Sequence, residues 1–396
     1  MSTELRDRLL RRIQRTGPIT FADFMSDALY DPDDGFYERG RAAGPGAVGA
    51  EGAFVTSPHV SPVFGGLLAH QVEEFDAALG SPAPFTLVDA GAGDGTLAEQ
   101  LVTGIGGDLR ARLELALVER TGRHRALARG RRLPPASRVA ADMGELAPGS
   151  VEGCIVANEL LDNLPFHLVR GAEGGPAELY VGAGSDGTSL ALVEGPVSSG
   201  DVNGLTGTVQ PGRVLAVPTG AIAFLDAAAT TLRRGYVLLI DYASAGDTGG
   251  TGGTGGTGEA GGAEDFGGVH GYRGHDVVGD VLANPGSSDV TAGVDIEVVA
   301  AHARRLGLRT WGPVTQRDAL AALGFADEVE ALRREQVGSL DEGRGTEAVR
   351  AYSARGAAGL LVQRGGLGDF SVLCLGKDVD ANPPRCMTRA QADEPR

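Results

Sequence analysis

The stretch Asp89-Ala90-Gly91-Ala92-Gly93-Asp94-Gly95-Thr96 decides the fold. It follows the apolar segment 85–89, predicted to be a buried strand, and precedes the segment 97–102, predicted to be a helix. A glycine-rich turn in this context lies at the carboxyl edge of a parallel sheet, where its backbone can approach a ligand closely. A tight turn without a ligand is the alternative, but ordinary turns rarely need three glycines. The motif therefore predicts a ligand-binding crevice in an α/β protein.

The spacing of this motif, G-x-G-x-G, bears on which ligand it binds. Dinucleotide-binding folds carry G-x-G-x-x-G, and Thr96 stands here where the third glycine would be. We assign Asp89, Gly91, Gly93 and Gly95 to a different cofactor. An acidic residue that opens the motif suits a ligand with a positively charged amino group. S-adenosylmethionine (SAM) carries such a group beside its sulfonium.

Further apolar runs alternate with helical segments on both sides of the motif. This alternation predicts parallel strands joined by right-handed crossovers. The predicted strands are 85–89, 113–119, 138–141, 153–157, 236–241 and 370–376, with helices at 221–234, 296–306 and from 316 onward.

The pattern also divides the chain into regions. Residues 246–263 are nearly all Gly, Thr and Ala, a composition typical of a flexible loop. The predicted regions are a helical N-terminal cover (1–80), a cofactor-binding core (81–242) with an antiparallel insertion (168–217), an inserted flexible loop and helical cover (243–340), the C-terminal part of the core (341–377) and a disordered tail (378–396).

Three further residues are candidates for holding an adenosine. Glu119 closes the second predicted strand, where an acid can accept both ribose hydroxyls. Asp142 follows the third strand and is positioned for the adenine amino group, with Met143 packing on the ring. A solvated loop acid is an equally open interpretation of Asp142.

The segment 158–165, NELLDNLP, follows the fourth strand and faces the same crevice. Asn158 is placed with the cofactor residues. Glu159 and Asp162 are three residues apart, so both carboxylates can lie on one face and orient a guanidinium through charge-assisted bonds. The structural alternative is a helix capped by Asn158, with Glu159 in its first turn.

Composition limits the function classes. The chain has 396 residues and a formal net charge of −17, which disfavours nucleic acid as a partner. Three cysteines are too few for a disulfide framework, and no apolar run is long enough to span a membrane. His270 and His275 have no carboxylate in ligand spacing, so no metal site is expected. The N-terminus lacks a secretory signal, and we expect a cytoplasmic protein.

Several motifs together resemble the MidA/NDUFAF7-type family of class I SAM-dependent methyltransferases. They are the glycine motif, NELLDNLP, LYDPDDGFYERG at 29–40, FVTSP at 54–58, HGYRGH at 270–275 and NPGSSDVTAGVD at 284–295. The resemblance covers roughly residues 15–376. This chain departs from it at His59, where the family commonly has an acidic residue, and at Gly52-Ala53, where Gly-Asp is usual.

The resemblance implies a mostly parallel seven-stranded sheet, with the last strand antiparallel and helical covers over its carboxyl edge. It also implies SAM as cofactor and methylation of arginine on a protein substrate, which in mitochondrial members is a subunit of respiratory complex I. Glu159 and Asp162 would then be catalytic, and His270, Arg273 and His275 would bind the substrate peptide.

Other functions stay open at this point. They are a nicotinamide-dependent oxidoreductase, a SAM-binding assembly factor without turnover, and a methyltransferase acting on a small molecule. The oligomeric state is also open, a homodimer included.

Overall fold

The computed structural model of the protein describes residues 3–39, 56–206, 209–243, 267–273 and 276–388. Within these ranges the strands are β1 (Ile19–Thr20), β2 (Phe85–Ala90), β3 (Leu113–Val118), β4 (Arg138–Ala140), β5 (Val151–Asn158), β6 (His167–Arg170), β7 (Ala177–Ala183), β8 (Leu190–Gly195), β9 (Val214–Val217), β10 (Leu232–Asp241), β11 (Val269–Arg273), β12 (Asp276–Val278), β13 (Asp289–Ala292), β14 (Arg309–Thr315) and β15 (Ser371–Lys377).

The α-helices of the same ranges are α1 (Thr3–Thr16), α2 (Phe21–Tyr30), α3 (Phe36–Arg39), α4 (Ser57–Val60), α5 (Val63–Ala78), α6 (Thr96–Gly104), α7 (Gly107–Arg110), α8 (Gly122–Arg129), α9 (Gly200–Thr206), α10 (Thr219–Thr231), α11 (Ile296–Arg305), α12 (Gln316–Leu323), α13 (Phe325–Asp341) and α14 (Gly345–Leu360). Short 3₁₀ turns lie at Met143–Glu145, Leu161–Asn163, Leu367–Asp369 and Arg385–Met387.

The central sheet has seven strands in the order β14-β15-β10-β5-β2-β3-β4. Strands β4, β3, β2, β5 and β10 run parallel, and β15 pairs antiparallel with β10. The predicted mostly parallel sheet with an antiparallel last strand is confirmed. Apolar side chains cover both faces, with α5, α6 and α12 on one side and α10 and α11 on the other.

Strand β14 was not among the strands predicted from the sequence. Gly312-Pro313 interrupts it, and proline is rarely found inside a strand because it cannot donate to the ladder. The pairing of β14 with β15 accordingly shifts register between Trp311 and Val314. Because β14 lies at the edge of the sheet, it can accommodate this irregularity. Whether the segment forms a strand is therefore decided by its position in the tertiary structure.

The antiparallel insertion forms a second sheet, β1-β7-β6-β9, with β8 on β7. Strand β1 comes from the N-terminal region, which is therefore not purely helical. A three-stranded sheet, β12-β11-β13, lies in the region expected to hold a flexible loop and helical cover. The GGT-rich residues 246–263 fall outside the described residues.

The described structure differs in three places from the regions and bounds expected from the sequence. Helices α13 and α14 pack against each other across the boundary placed between residues 340 and 341. Residues 378–388 of the supposedly disordered tail pack on the core: Cys386 is 1% exposed, and its N–H donates to Gln71 Oε1 at 2.8 Å. The helix predicted at 221–234 ends at Thr231, because the chain enters β10 at Leu232.

Two negative findings apply to the described part of the chain. No helix there combines the length and apolar character needed to cross a bilayer. No group of three or more His, Cys, Asp and Glu side chains there is arranged to hold a metal ion.

Candidate active site

A cavity of about 650 Å³ lies at the carboxyl ends of the central parallel strands. The glycine motif after β2, Glu119 after β3, the turn at 142–144 and the segment after β5 all line it. Residues from α2, α3 and α4 and from β13 close it from above. The site expected at the sheet edge is thus one pocket lined by residues of both the core and its covers.

The three glycines of the motif have positive φ angles, in the left-handed region: 74° at Gly91, 54° at Gly93 and 82° at Gly95. A Cβ at Gly91 would lie 2.9 Å from Leu160 Cδ1, so a side chain does not fit there. A Cβ at Gly93 would meet no protein atom within 4 Å, and Gly93 lines the cavity. The space beside Gly93 is therefore available to a ligand.

Asp89 is the second-last residue of β2, beneath this loop, and is 2% exposed. Its Oδ2 is buried and has no hydrogen-bond partner. Burial, followed by the negative charge of Glu119, raises the pKa of Asp89 to about 7. A cationic group in the cavity would supply both the missing partner and the compensating charge.

Glu119 is also buried and is tied to the glycine motif. Its Oε2 accepts the Gly93 N–H at 2.9 Å, and its Oε1 accepts the Thr121 N–H at 2.8 Å and the Thr121 hydroxyl at 2.7 Å. Asp142 and Met143 lie in the next loop and line the same cavity. Asp142 Oδ1 accepts the Gly144 N–H at 2.7 Å, which holds the 3₁₀ turn in shape.

The segment after β5 does not form the α-helix that the capping alternative requires. Glu159 instead has φ of 52°, and its N–H donates to the carbonyl oxygen of Ile240 at 2.8 Å. A left-handed residue other than glycine is uncommon and is enriched at functional sites. Only a 3₁₀ turn follows, at Leu161–Asn163. The helix-capping interpretation of Asn158 and Glu159 is therefore wrong.

Glu159 and Asp162 both line the cavity. Glu159 Oε1 accepts the Ser57 N–H and Asn158 Nδ2, each at 3.0 Å. Asp162 Oδ2 accepts the Thr291 hydroxyl at 2.8 Å, whereas its Oδ1 is buried without a partner. The structure thus brings together the two carboxylates that the sequence pattern singled out.

Two more acids surround this pair and were missed from the sequence. Asp241 at the end of β10 accepts the backbone N–H groups of Leu160 and Leu161 at 3.1 and 2.7 Å, which shapes the loop. Asp289 on β13 is 4% exposed, lines the cavity and accepts Asn163 Nδ2 at 3.0 Å.

Burial and mutual repulsion oppose the ionisation of these acids unless a positive charge lies beside them. Burial first, and then neighbouring carboxylates, raise the pKa of Glu159 and of Asp289 to about 7. The pKa values of Asp162 and Asp241 are also raised, chiefly by burial. Three of these acids, Glu159, Asp162 and Asp289, line the cavity, and acids that resist ionisation together are suited to receive a cation.

Two tyrosines complete this wall of the cavity. The Tyr37 hydroxyl donates to Asn163 Oδ1 at 2.9 Å, and the Tyr30 hydroxyl donates to the Asn163 carbonyl oxygen at 3.1 Å. The two rings stack with their centroids 5.7 Å apart. These residues and Asp289 lie in the segments 29–40 and 284–295, so the resemblance pointed to the segments but not to the side chains.

Two of the three predicted peptide-binding residues, His270 and Arg273, do not line this cavity. His270 and Arg273 are exposed on β11 and are not among the described residues that line the cavity. Arg273 donates to the Ser287 carbonyl oxygen at 3.1 Å and to its hydroxyl at 2.5 Å, so it fastens a turn. His275 lies outside the described residues.

Similarity to known proteins decides the class of chemistry. Residues 67–314, more than half of the chain, match the family model of S-adenosyl-L-methionine-dependent methyltransferases. The chain belongs to this methyltransferase family. Its cofactor is therefore SAM, and the nicotinamide alternative is set aside. The unpartnered Asp89 Oδ2 and the open space beside Gly93 fit such a ligand.

Curated relatives of this methyltransferase carry more specific names. The fly (Drosophila melanogaster) protein arginine methyltransferase NDUFAF7 homolog, mitochondrial, is 28% identical over 79% of this chain and 73% of its own length. The human protein arginine methyltransferase NDUFAF7, mitochondrial, is 25% identical over 83% and 75%. The expected cytoplasmic location is contradicted, because these relatives are named mitochondrial proteins.

A solved structure supports the fold. The crystal structure of a protein from Burkholderia thailandensis, bound to S-adenosyl-homocysteine, is similar to this methyltransferase with a TM-score of 0.77 and 24% identity. The match covers 97% of this chain and 94% of that chain. The likeness therefore includes the covers as well as the central sheet.

Proposed function

We propose that this methyltransferase methylates an arginine side chain of a protein substrate. The observation that carries the proposal is the group of buried carboxylates, Glu159, Asp162 and Asp289, on the wall of the cofactor cavity. A guanidinium stays charged at any physiological pH and presents five N–H donors in one plane. It can satisfy several carboxylate oxygens at once and offset the charge repulsion that raises their pKa values.

SAM supplies a methyl group on a sulfonium, which makes that methyl group electrophilic. We assign Asp89 to the cofactor ammonium and the backbone at Gly91, Gly93 and Gly95 to close contact with its amino-acid part. We further assign Glu119 to the ribose hydroxyls, Asp142 to the adenine amino group, Met143 to the adenine face and Asn158 to the end of the site nearest the substrate.

Glu159 and Asp162 hold the guanidinium in the orientation needed for attack, which is how positioning contributes most to such a transfer. The nitrogen that becomes methylated must lose a proton. Asp162 Oδ1 is the acceptor we assign, since it lies buried without a hydrogen-bond partner. We assign His270 and Arg273 to contacts with the part of the substrate that lies outside the cavity.

The named relatives support the choice of substrate. The fly and human proteins are both protein arginine methyltransferases by name. Their identities to this chain are 28% and 25%, and each match covers more than three quarters of it. The identity of the protein substrate and of the modified position is a separate question, which experiment must answer.

Cell extract incubated with isotope-labelled SAM and the purified enzyme tests the proposal, with mass spectrometry locating the label. We expect label on arginine in one or a few proteins. Asp162→Asn should reduce labelling by about 100-fold, because a neutral amide neither stabilises the guanidinium nor accepts its proton. Glu114→Gln, an exposed acid on β3, is the matched control and should label normally.

Two results would contradict the proposal. Label on lysine, on another residue type or on a small molecule would reject arginine as the substrate. Full labelling by a folded Asp162→Asn enzyme would remove the catalytic role of that carboxylate. A third result, SAM binding with no label transferred to any component of the extract, would favour the alternative of a SAM-binding assembly factor without turnover.

A further inference from the structure

Helix α4 touches three parts of the molecule at once. Its first N–H, from Ser57, donates to Glu159 Oε1 at 3.0 Å. The Pro58 carbonyl oxygen accepts Gln100 Nε2 from α6 at 2.8 Å. The Ser57 hydroxyl donates to Gln316 Oε1 of α12 at 3.3 Å, and both side chains are buried. This one turn therefore connects Glu159, the carboxylate assigned to substrate binding, to helices α6 and α12.

His59 extends the same turn to the glycine motif. Its Nδ1 lies 2.8 Å from the Thr56 hydroxyl, which fixes the orientation of the ring. Its Nε2 lies 3.3 Å from the Thr96 hydroxyl and 3.4 Å from Asp94 Oδ1. His59, Asp94 and Thr96 all line the cavity. The ring thus connects α4 to the residues that end the glycine loop and begin α6.

Asp94 is held in position by contacts with Arg131. Arg131 donates to both its carboxylate and its carbonyl oxygen, the latter at 2.9 Å. Burial opposes ionisation, but hydrogen bonds from His59 and Thr96 and the positive charge of Arg131 lower the pKa of Asp94. Asp94 is therefore a carboxylate at neutral pH, and an acidic side chain at position 59 would face it directly.

We propose that the contact of His59 with Asp94 and Thr96 is a latch that couples the cofactor loop to Glu159. His59 is a positioning residue in this scheme: it acts through Asp94 on one side and through α4 and Ser57 on the other. A histidine suits this position because its ring faces the Asp94 carboxylate, which an acidic side chain would repel. The part of the inference that concerns Glu159 rests on the proposed function; the part that concerns the cofactor loop does not.

Calorimetric titration with S-adenosylhomocysteine tests the first part without any turnover. His59→Glu should weaken binding by about tenfold, because like charges meet at position 94. Adding Asp94→Asn to His59→Glu should restore most of that loss. His59→Gln keeps an N–H donor and should stay close to the native enzyme, whereas His59→Ala should not. Circular dichroism establishes that each variant is folded.

A double-mutant cycle on the same affinity tests the second part. His59→Ala and Glu159→Ala should be non-additive by about threefold or more, since Glu159→Ala removes the acceptor of the Ser57 N–H through which α4 joins the two residues. The matched control is the pair His59→Ala and Asp142→Asn, because Asp142 also lines the cavity but has no bond to α4. This control pair should be additive within about twofold.

The outcomes test separately the contact of His59 with the cofactor loop and its coupling to Glu159. If His59→Glu binds as tightly as the native enzyme, or Asp94→Asn fails to rescue it, the latch does not exist. If the Glu159 pair is as additive as the control pair, His59 serves the cofactor loop alone and the coupling is refuted. Failure to methylate arginine would overturn the proposed function but would leave both binding results unchanged.

Discussion

Glu159→Gln should make the free enzyme more stable at alkaline pH, although it removes a residue assigned to substrate binding. In the folded protein, burial raises the pKa of Glu159 from an ordinary 4.5 to about 7. The raised value means that the folded state favours the neutral acid. Between pH 4.5 and about 7 the unfolded chain loses this proton while the folded chain retains it, so the free energy of unfolding falls as the pH rises.

The size of the effect follows from the shift. Each pKa unit corresponds to about 1.4 kcal/mol, so the rise of the Glu159 pKa from 4.5 to about 7 gives at most about 3.5 kcal/mol above pH 7. Glutamine cannot ionise, yet its oxygen can still accept the Ser57 N–H and Asn158 Nδ2 that Glu159 Oε1 accepts at 3.0 Å. The variant therefore keeps these contacts and avoids the cost of the buried charge.

Urea unfolding at pH 5, 6, 7 and 8 measures this directly. The stability difference between Glu159→Gln and the native enzyme should be small at pH 5 and should approach about 3 kcal/mol in favour of the variant at pH 8. Glu114→Gln, at the exposed start of β3, should change stability by less than about 0.5 kcal/mol at every pH. A Glu159→Gln enzyme that is less stable than the native enzyme at pH 8 would refute the reasoning. It would mean that the two donors hold Glu159 ionised.

Three other outcomes are expected. Gly93→Val should abolish SAM binding in calorimetry by filling the open space beside the loop, whereas Gly149→Val, with a similar positive φ of 65° but outside the cavity, should bind normally; equal losses in both would indicate backbone strain alone. Glu119→Ala should weaken SAM binding by about 1–3 kcal/mol, since it also releases the Gly93 N–H, and Glu114→Ala should not; unchanged affinity would place the ribose elsewhere. Ending the chain at Lys377 should lower the denaturation midpoint, because the packed tail buries a cysteine on the core, and an unaltered midpoint would show that this packing contributes nothing.

Local pattern was enough for the elements of the core. Buried parallel strands are continuous apolar runs, and the helices between them repeat every 3.6 residues, so both are visible without knowing what packs on them. The glycine motif was equally readable, because its backbone conformation restricts which residues can occupy it. Glu159 and Asp162 were identified together because they are only three residues apart and therefore lie in one short turn.

Other features depended on parts of the chain that are distant in sequence. Asp289, Tyr30 and Tyr37 reach the cavity only because β13, α2 and α3 fold over the sheet edge, and no local spacing records that approach. His270 and Arg273 lie outside the cavity and are exposed on β11, and their assignment to the substrate peptide stays a prediction.

The sequence by itself determined the class of fold, the cofactor loop and the two carboxylates after β5, because each is specified by residues that are neighbours along the chain. Only the tertiary structure decided that β14 completes the sheet, that the tail packs on the core, and that Asp89, Glu159 and Asp289 have raised pKa values. Burial and charge repulsion are properties of side chains brought together from separate segments. The environment that prepares this site for a cation therefore arises only when the covers close over the sheet.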